Sequence, residues 1–256
     1  MHSFYRGLMI LGLTLSSVSF HSAAQASQPV MVQARATDLV NQGIQKAEKG
    51  DFQGAIAVYT QALTIDPKLT SAYVYRGLAH HDSGNLQPAL ADFDRAVQLD
   101  PKNAIAVFNR GEVRTDLQDF EGAIADLSRA IQLQPNYAEA YNIRGVVYGV
   151  TGDLPKSMSD LNRAIQIKPD FADAYYNRGR SKTEAGDSKG AISDYTQAIR
   201  FNSSLAEAYG SRGILYAQTG NKSLALQDLQ QAAQLFQQQG NQQGYQQTMN
   251  LIRQVQ

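Results

Sequence analysis

Five arginines, Arg76, Arg110, Arg144, Arg178 and Arg212, each stand sixteen residues ahead of an aspartate, Asp92, Asp126, Asp160, Asp194 and Asp228. A guanidinium and a carboxylate repeated at one spacing are the parts of a two-pronged ionic clasp, a structural use of charge that needs no substrate. Catalytic combinations are harder to assemble. His80 and His81 are adjacent, which on a helix sets them about 100° apart and not in the i, i+4 relation that holds zinc. There is no cysteine, so thiolate nucleophiles, disulfides and cysteine metal sites are all excluded. No phosphate-binding glycine loop, nucleophile elbow or zinc-protease motif occurs. The other carboxylates recur with the arginines and have a packing explanation. The expectation is a protein that is not an enzyme, with no catalytic residue, no metal and no cofactor.

The elements that place these residues are announced by glycine. Gly43, Gly77, Gly111, Gly145, Gly179 and Gly213 follow one another at intervals of 34 residues, and Pro67, Pro101, Pro135 and Pro169 keep the same beat. A period of that length is one helix, turn, helix unit, and such units stack because none can bury its apolar face alone. With glycine at the eighth position, six repeats run 36–69, 70–103, 104–137, 138–171, 172–205 and 206–239. Alanine holds position 20 except at Ser157, alanine holds position 27 throughout, and position 24 is Tyr59, Phe93, Leu127, Leu161, Tyr195 or Leu229. A helical glycine costs about 1 kcal/mol relative to alanine, so its recurrence predicts close approach of the paired helix at positions 8 and 20. Gly50, Gly84, Gly152, Gly186 and Gly220 predict left-handed helix ends, and Asp51, Asn85, Asp119, Asp153, Asp187 and Asn221 predict N-caps for the helices that follow. Gln118 stands where the third repeat should have its glycine. The fold class expected is all-α, a right-handed α-solenoid of six repeats. Tyr245, Met249 and Ile252 lie at i, i+4 and i+7 in the glutamine-rich end, which predicts a C-terminal capping helix over 240–256.

Arg6, the apolar run from Gly7 to Phe20 and Ala24-Gln25-Ala26 read as a secretory signal peptide over 1–26, leaving a short mature segment, 27–35, before the first repeat. The apolar run is shorter than the roughly 18–20 residues of a spanning helix. The expectation is an exported protein with no membrane span after cleavage, in a periplasm first of all, with a thylakoid lumen or secretion as alternatives. Removing Arg6 from the 23 Lys plus Arg residues leaves 22 against 23 Asp plus Glu, a balance unsuited to nucleic acid.

In period and pattern the array resembles the tetratricopeptide repeat family, whose signature adds Trp or Tyr at position 4; here Tyr73, Tyr141, Tyr175 and Tyr209 match, while Leu39 and Val107 depart. The resemblance implies a protein–protein interaction scaffold that holds a peptide segment in a concave groove lined by the first helices. It implies a partner-binding set of Tyr75, Phe108, Asn109, Asn142, Tyr176, Asn177 and Arg180, with the aromatic residues as anchors and the asparagines bonding peptide backbone. The cations of the family's carboxylate clamp are missing, since position 2 holds Thr37, Ser71, Ile105, Glu139, Asp173 and Glu207. Asp82, Asp116 and Glu184 make the groove edge acidic, so the partner expected is a protein offering a neutral or basic segment. The alternative is a structural adaptor that self-associates, as a homo-oligomer, through the glutamine-rich end.

Overall fold

The structure is a computed structural model that describes residues 28–256; the expected leader lies outside them. The described residues form thirteen α-helices and no strand. They run α1 (Gln28–Glu48), α2 (Phe52–Ile65), α3 (Thr70–Asp82), α4 (Leu86–Leu99), α5 (Ala104–Asp116), α6 (Phe120–Leu133), α7 (Ala138–Val150), α8 (Leu154–Ile167), α9 (Ala172–Glu184), α10 (Ser188–Phe201), α11 (Ala206–Gln218), α12 (Lys222–Gln238) and α13 (Gln242–Val255). α1 starts at Gln28, so most of the segment set apart as 27–35 is the beginning of the first helix. The chain divides into two units, with the boundary inside α6 after Asp126. In the first, α1, α3 and α5 are neighbours and α2 and α4 pack behind them. In the second, α7 to α13 pack in sequence, with α7 also touching α9 and α11 touching α13.

Each turn is made as its residues dictate. Gly50, Gly84, Gly152, Gly186 and Gly220 have positive φ, and Gln118 takes the same conformation at φ 61. Asp51, Asp119, Asp153 and Asp187 accept from backbone N–H groups of the next helix, whereas Asn85 and Asn221 cap without a side-chain bond. From α2 to α10 the second helices stop two residues before position 32, even at Ser203, where proline is missing. The stop there is an Asx turn: Asn202 accepts from Ser204 N as Asp66 does from Lys68 N and Asp100 from Lys102 N. α12 has neither device and runs to 17 residues against 14 for its counterparts.

The eighth-position glycines face the position-24 side chains before anything at position 20. A Cβ on Gly43 would run into the Tyr59 ring, and one on Gly77 would lie 2.9 Å from Phe93, on Gly145 2.9 Å from Leu161 and on Gly179 2.7 Å from Tyr195. In these four hairpins, and at Gly213 with Leu229, the large residue at 24 therefore closes its own hairpin; all six position-24 side chains are at most 2% exposed.

All five expected clasps form. Arg76, Arg110, Arg144, Arg178 and Arg212 each donate through Nε and Nη2 to both oxygens of the aspartate sixteen residues on, at 2.6–2.9 Å. They are not surface pairs. The aspartates are only 3–7% exposed, so removing one partner strands a buried charge, at about 3–5 kcal/mol. Nη1 of each arginine also reaches back to the previous repeat, to Thr60, Asp94, Ser128, Asn162 and Thr196 in turn. Position 25 thus always offers an oxygen, and one guanidinium ties its own hairpin and joins it to the one before. Tyr73, Tyr141, Tyr175 and Tyr209 lie against these arginines at 5.3–5.8 Å, which gives the position-4 tyrosines their role.

At the C-terminal end, Gly244 approaches Phe236, and Tyr245, Met249 and Ile252 pack on Leu229 and Ala233 of α12. The expected cap is a helix whose apolar side is buried there.

Two glycines test the packing account. Gly179→Ala should destabilise by about 1–3 kcal/mol through overpacking against Tyr195. Gly210→Ala, whose Cβ would find only Ala232 at 3.9 Å, should stabilise by about 0.5–1 kcal/mol. Urea unfolding of both variants measures the difference.

Candidate functional site

The first helices present their faces separately in the two units. On α3 and α5, Tyr75 stacks on Tyr59 at 6.0 Å with 20° between planes, and burial raises its phenol pKa. Phe108 is 9% exposed, sunk too deep to be the open anchor the sequence suggested. Asn109 is 7% exposed and one of its amide donors is used within its own helix, Nδ2 to Ile105 O at 2.7 Å. The exposed apolar residue here is Ile105, at 40%. At the C-terminal ends of the two helices, His81 Nε2 lies 2.7 Å from Asp116 Oδ2. Burial acts to lower the His81 pKa, but Asp116, Glu112 and Asp82 together leave it raised. Burial raises the Glu112 carboxyl, with Asp116 and Asp82 adding to it and His81 opposing. His80 turns away, as the helical offset required; burial lowers its pKa, and its Nδ1 is buried without a partner. Among the described residues no group of histidine, aspartate and glutamate side chains could hold a metal ion.

On α7 and α9, two predicted residues meet each other. Asn177 Nδ2 donates to Asn142 Oδ1 at 3.0 Å across the helices, with Asn142 only 5% exposed. The pair positions the surface instead of offering two free amides. Tyr176 leans on Tyr195 at 5.8 Å, and burial raises its phenol pKa while a bond to Ser211 opposes the rise. Arg180 is exposed. A shallow cleft is lined by Val146, Gly149, Val150, Asn177, Arg180, Ser181 and Glu184, with Val150 57% exposed. One support of this lining is not evident from the sequence: Ser181 shares a buried 2.8 Å hydrogen bond with Ser157, the exception at position 20. A polar residue in a small-residue position was the only signal.

Profiles of the TPR repeat match residues 45–84, 111–152 and 150–182, and tetratricopeptide repeat profiles match 70–103 and 176–241. The chain belongs to the tetratricopeptide repeat family. As such it is a protein–protein interaction scaffold. No curated protein matches the sequence. Among solved structures, MamA protein is similar at 30% identity and a TM-score of 0.58, over 69% of this chain and 94% of that one. YrrB, described as a TPR protein with an unusual peptide-binding site, is 24% identical with a TM-score of 0.56, over 68% of this chain and 89% of its own. PilF of Pseudomonas aeruginosa is 16% identical with a TM-score of 0.71, over 85% and 98%. The last two likenesses are of fold alone.

The His81–Asp116 pair has a definite pH signature. Because the folded pKa is raised, its stabilisation is full below the unfolded imidazole value and is lost as pH rises through the folded one. Asp116→Asn should lower the His81 pKa, read from an NMR titration of the ring, and flatten that part of the urea stability profile. An unmoved imidazole pKa would show that the contact does not form in solution.

Proposed function

We propose that this protein is exported and binds an extended segment of another protein on the faces of its first helices, holding it for assembly of a complex. One observation carries the reading. The residues that hold the hairpins together recur from repeat to repeat, whereas Ile105 and Val150 are apolar, exposed and peculiar to their repeats. A preformed surface loses little entropy when a segment docks, so a few apolar contacts suffice for capture. The segment is neutral or basic, on the strength of Asp82, Asp116 and Glu184 at the edge of these faces. Export rests on the leader pattern at 1–26, and no helix among the described residues is long and apolar enough to cross a membrane. α13 buries its apolar side on α12, so nothing in its packing favours self-association through the glutamine-rich end over partner capture.

A photocrosslinker placed in turn at Ile105, at Val150 and at Ser193, an exposed residue on a second helix, tests the docking face. In the native compartment, the first two positions should give the same discrete protein adduct by mass spectrometry and Ser193 should not. Equal labelling from all three would contradict the assignment. Recovery of the chain beginning at Ser27 from an extracytoplasmic fraction checks export.

A further inference from the structure

We infer that His81 is a proton-controlled gate on the α3–α5 face, its imidazolium supplying the positive charge that a lysine or arginine of a docked segment supplies once the ring is neutral. The inference deepens the docking reading above and rests on it. Three carboxylates, Asp82 on α3 and Glu112 and Asp116 on α5, act on one imidazole. The ring sits between the two helices, with its side chain 14% exposed, while the Asp116 side chain it touches is 45% exposed. One oxygen of that carboxylate faces His81 at 2.7 Å, and the exposure of the side chain leaves the carboxylate within reach of a donor from outside. Burial pushes the Glu112 pKa upward, Asp116 and Asp82 add to the rise, and the His81 charge opposes it.

The charge of the patch therefore changes steeply in one direction. In mildly acidic solution the ring is an imidazolium and offsets one of the three carboxylates. As the pH rises the ring loses its proton, and the three carboxylates are left without the imidazolium that offset one of them. A cationic side chain arriving at the C-terminal ends of α3 and α5 then takes the place of the lost proton, and in acid the imidazolium repels it. A segment of opposite charge would show the reverse order.

The experiment uses the full chain and an acetylated, amidated peptide of alternating lysine and alanine, with a glutamate and alanine peptide as its control. Affinities are measured by calorimetry from about pH 5.5 to about pH 8.5, a span that brackets histidine titration. The lysine peptide should bind more tightly as pH rises, by up to about tenfold per unit below the imidazole pKa if protonation and docking exclude each other. Its binding should also lower the His81 pKa in an NMR titration, and His81→Gln, which keeps a donor for Asp116, should remove most of the pH dependence. Far-UV circular dichroism checks that the variant is folded. Lysine-peptide binding that ignores pH, an unchanged ring pKa on binding, or no lysine-peptide binding at any pH would each overturn the inference. The docking face itself is judged separately by the crosslinks, which do not depend on the peptide's charge.

Discussion

The recurring arginine holds this structure together by what its geometry allows. A guanidinium has five donors in a plane, and here two go to the aspartate of its own hairpin while a third turns to the hairpin before it. Lysine offers a point charge and could not keep both directions at once. Burial of the aspartates converts what would be a weak surface pair into one whose loss leaves a charge stranded. At two sites a second cation joins: Arg114 at Asp126 and Lys182 at Asp194. The contact is repeated along each unit, so it sets the spacing between neighbouring first helices and hence the faces they present.

The same economy explains why those faces are free to vary. Glycine at position 8 and a large residue at position 24 close the hairpin from inside, leaving the outward positions of the first helix without a packing duty. Some have nevertheless been recruited to stabilise the surface. Asn142 and Asn177 bond to each other, and His81 bonds to Asp116. The result is a partly prearranged surface of ion pairs, amides and a few exposed aliphatic side chains, suited to recognition of a polypeptide.

Much of this was legible in the sequence, for physical reasons. A fixed period with glycine, alanine and proline in register leaves little freedom in helix number or turn position, and the paired presence of arginine and aspartate disclosed the clasp; that the hairpin closes on position 24 before position 20 depends on how far a large side chain reaches, which spacing does not show. The site was legible only in part. Asn109 looked like a free amide because spacing alone does not reveal that it bonds the carbonyl of Ile105. Phe108 looked like an anchor because a large residue on the first helix can turn inward as readily as outward. Position 25 went unnoticed since threonine, aspartate, serine and asparagine share an oxygen and little else; their common function is visible only when the third arginine donor is placed.

The central claim is that one guanidinium couples two hairpins, and native-state hydrogen exchange on Arg178→Met tests it most directly. Arg178 bonds Asp194 of its own hairpin and Asn162 of the preceding one. Amide protection should fall together in α9, α10 and α8. Loss confined to α9 and α10, with α8 protected as in the parent, would contradict the account.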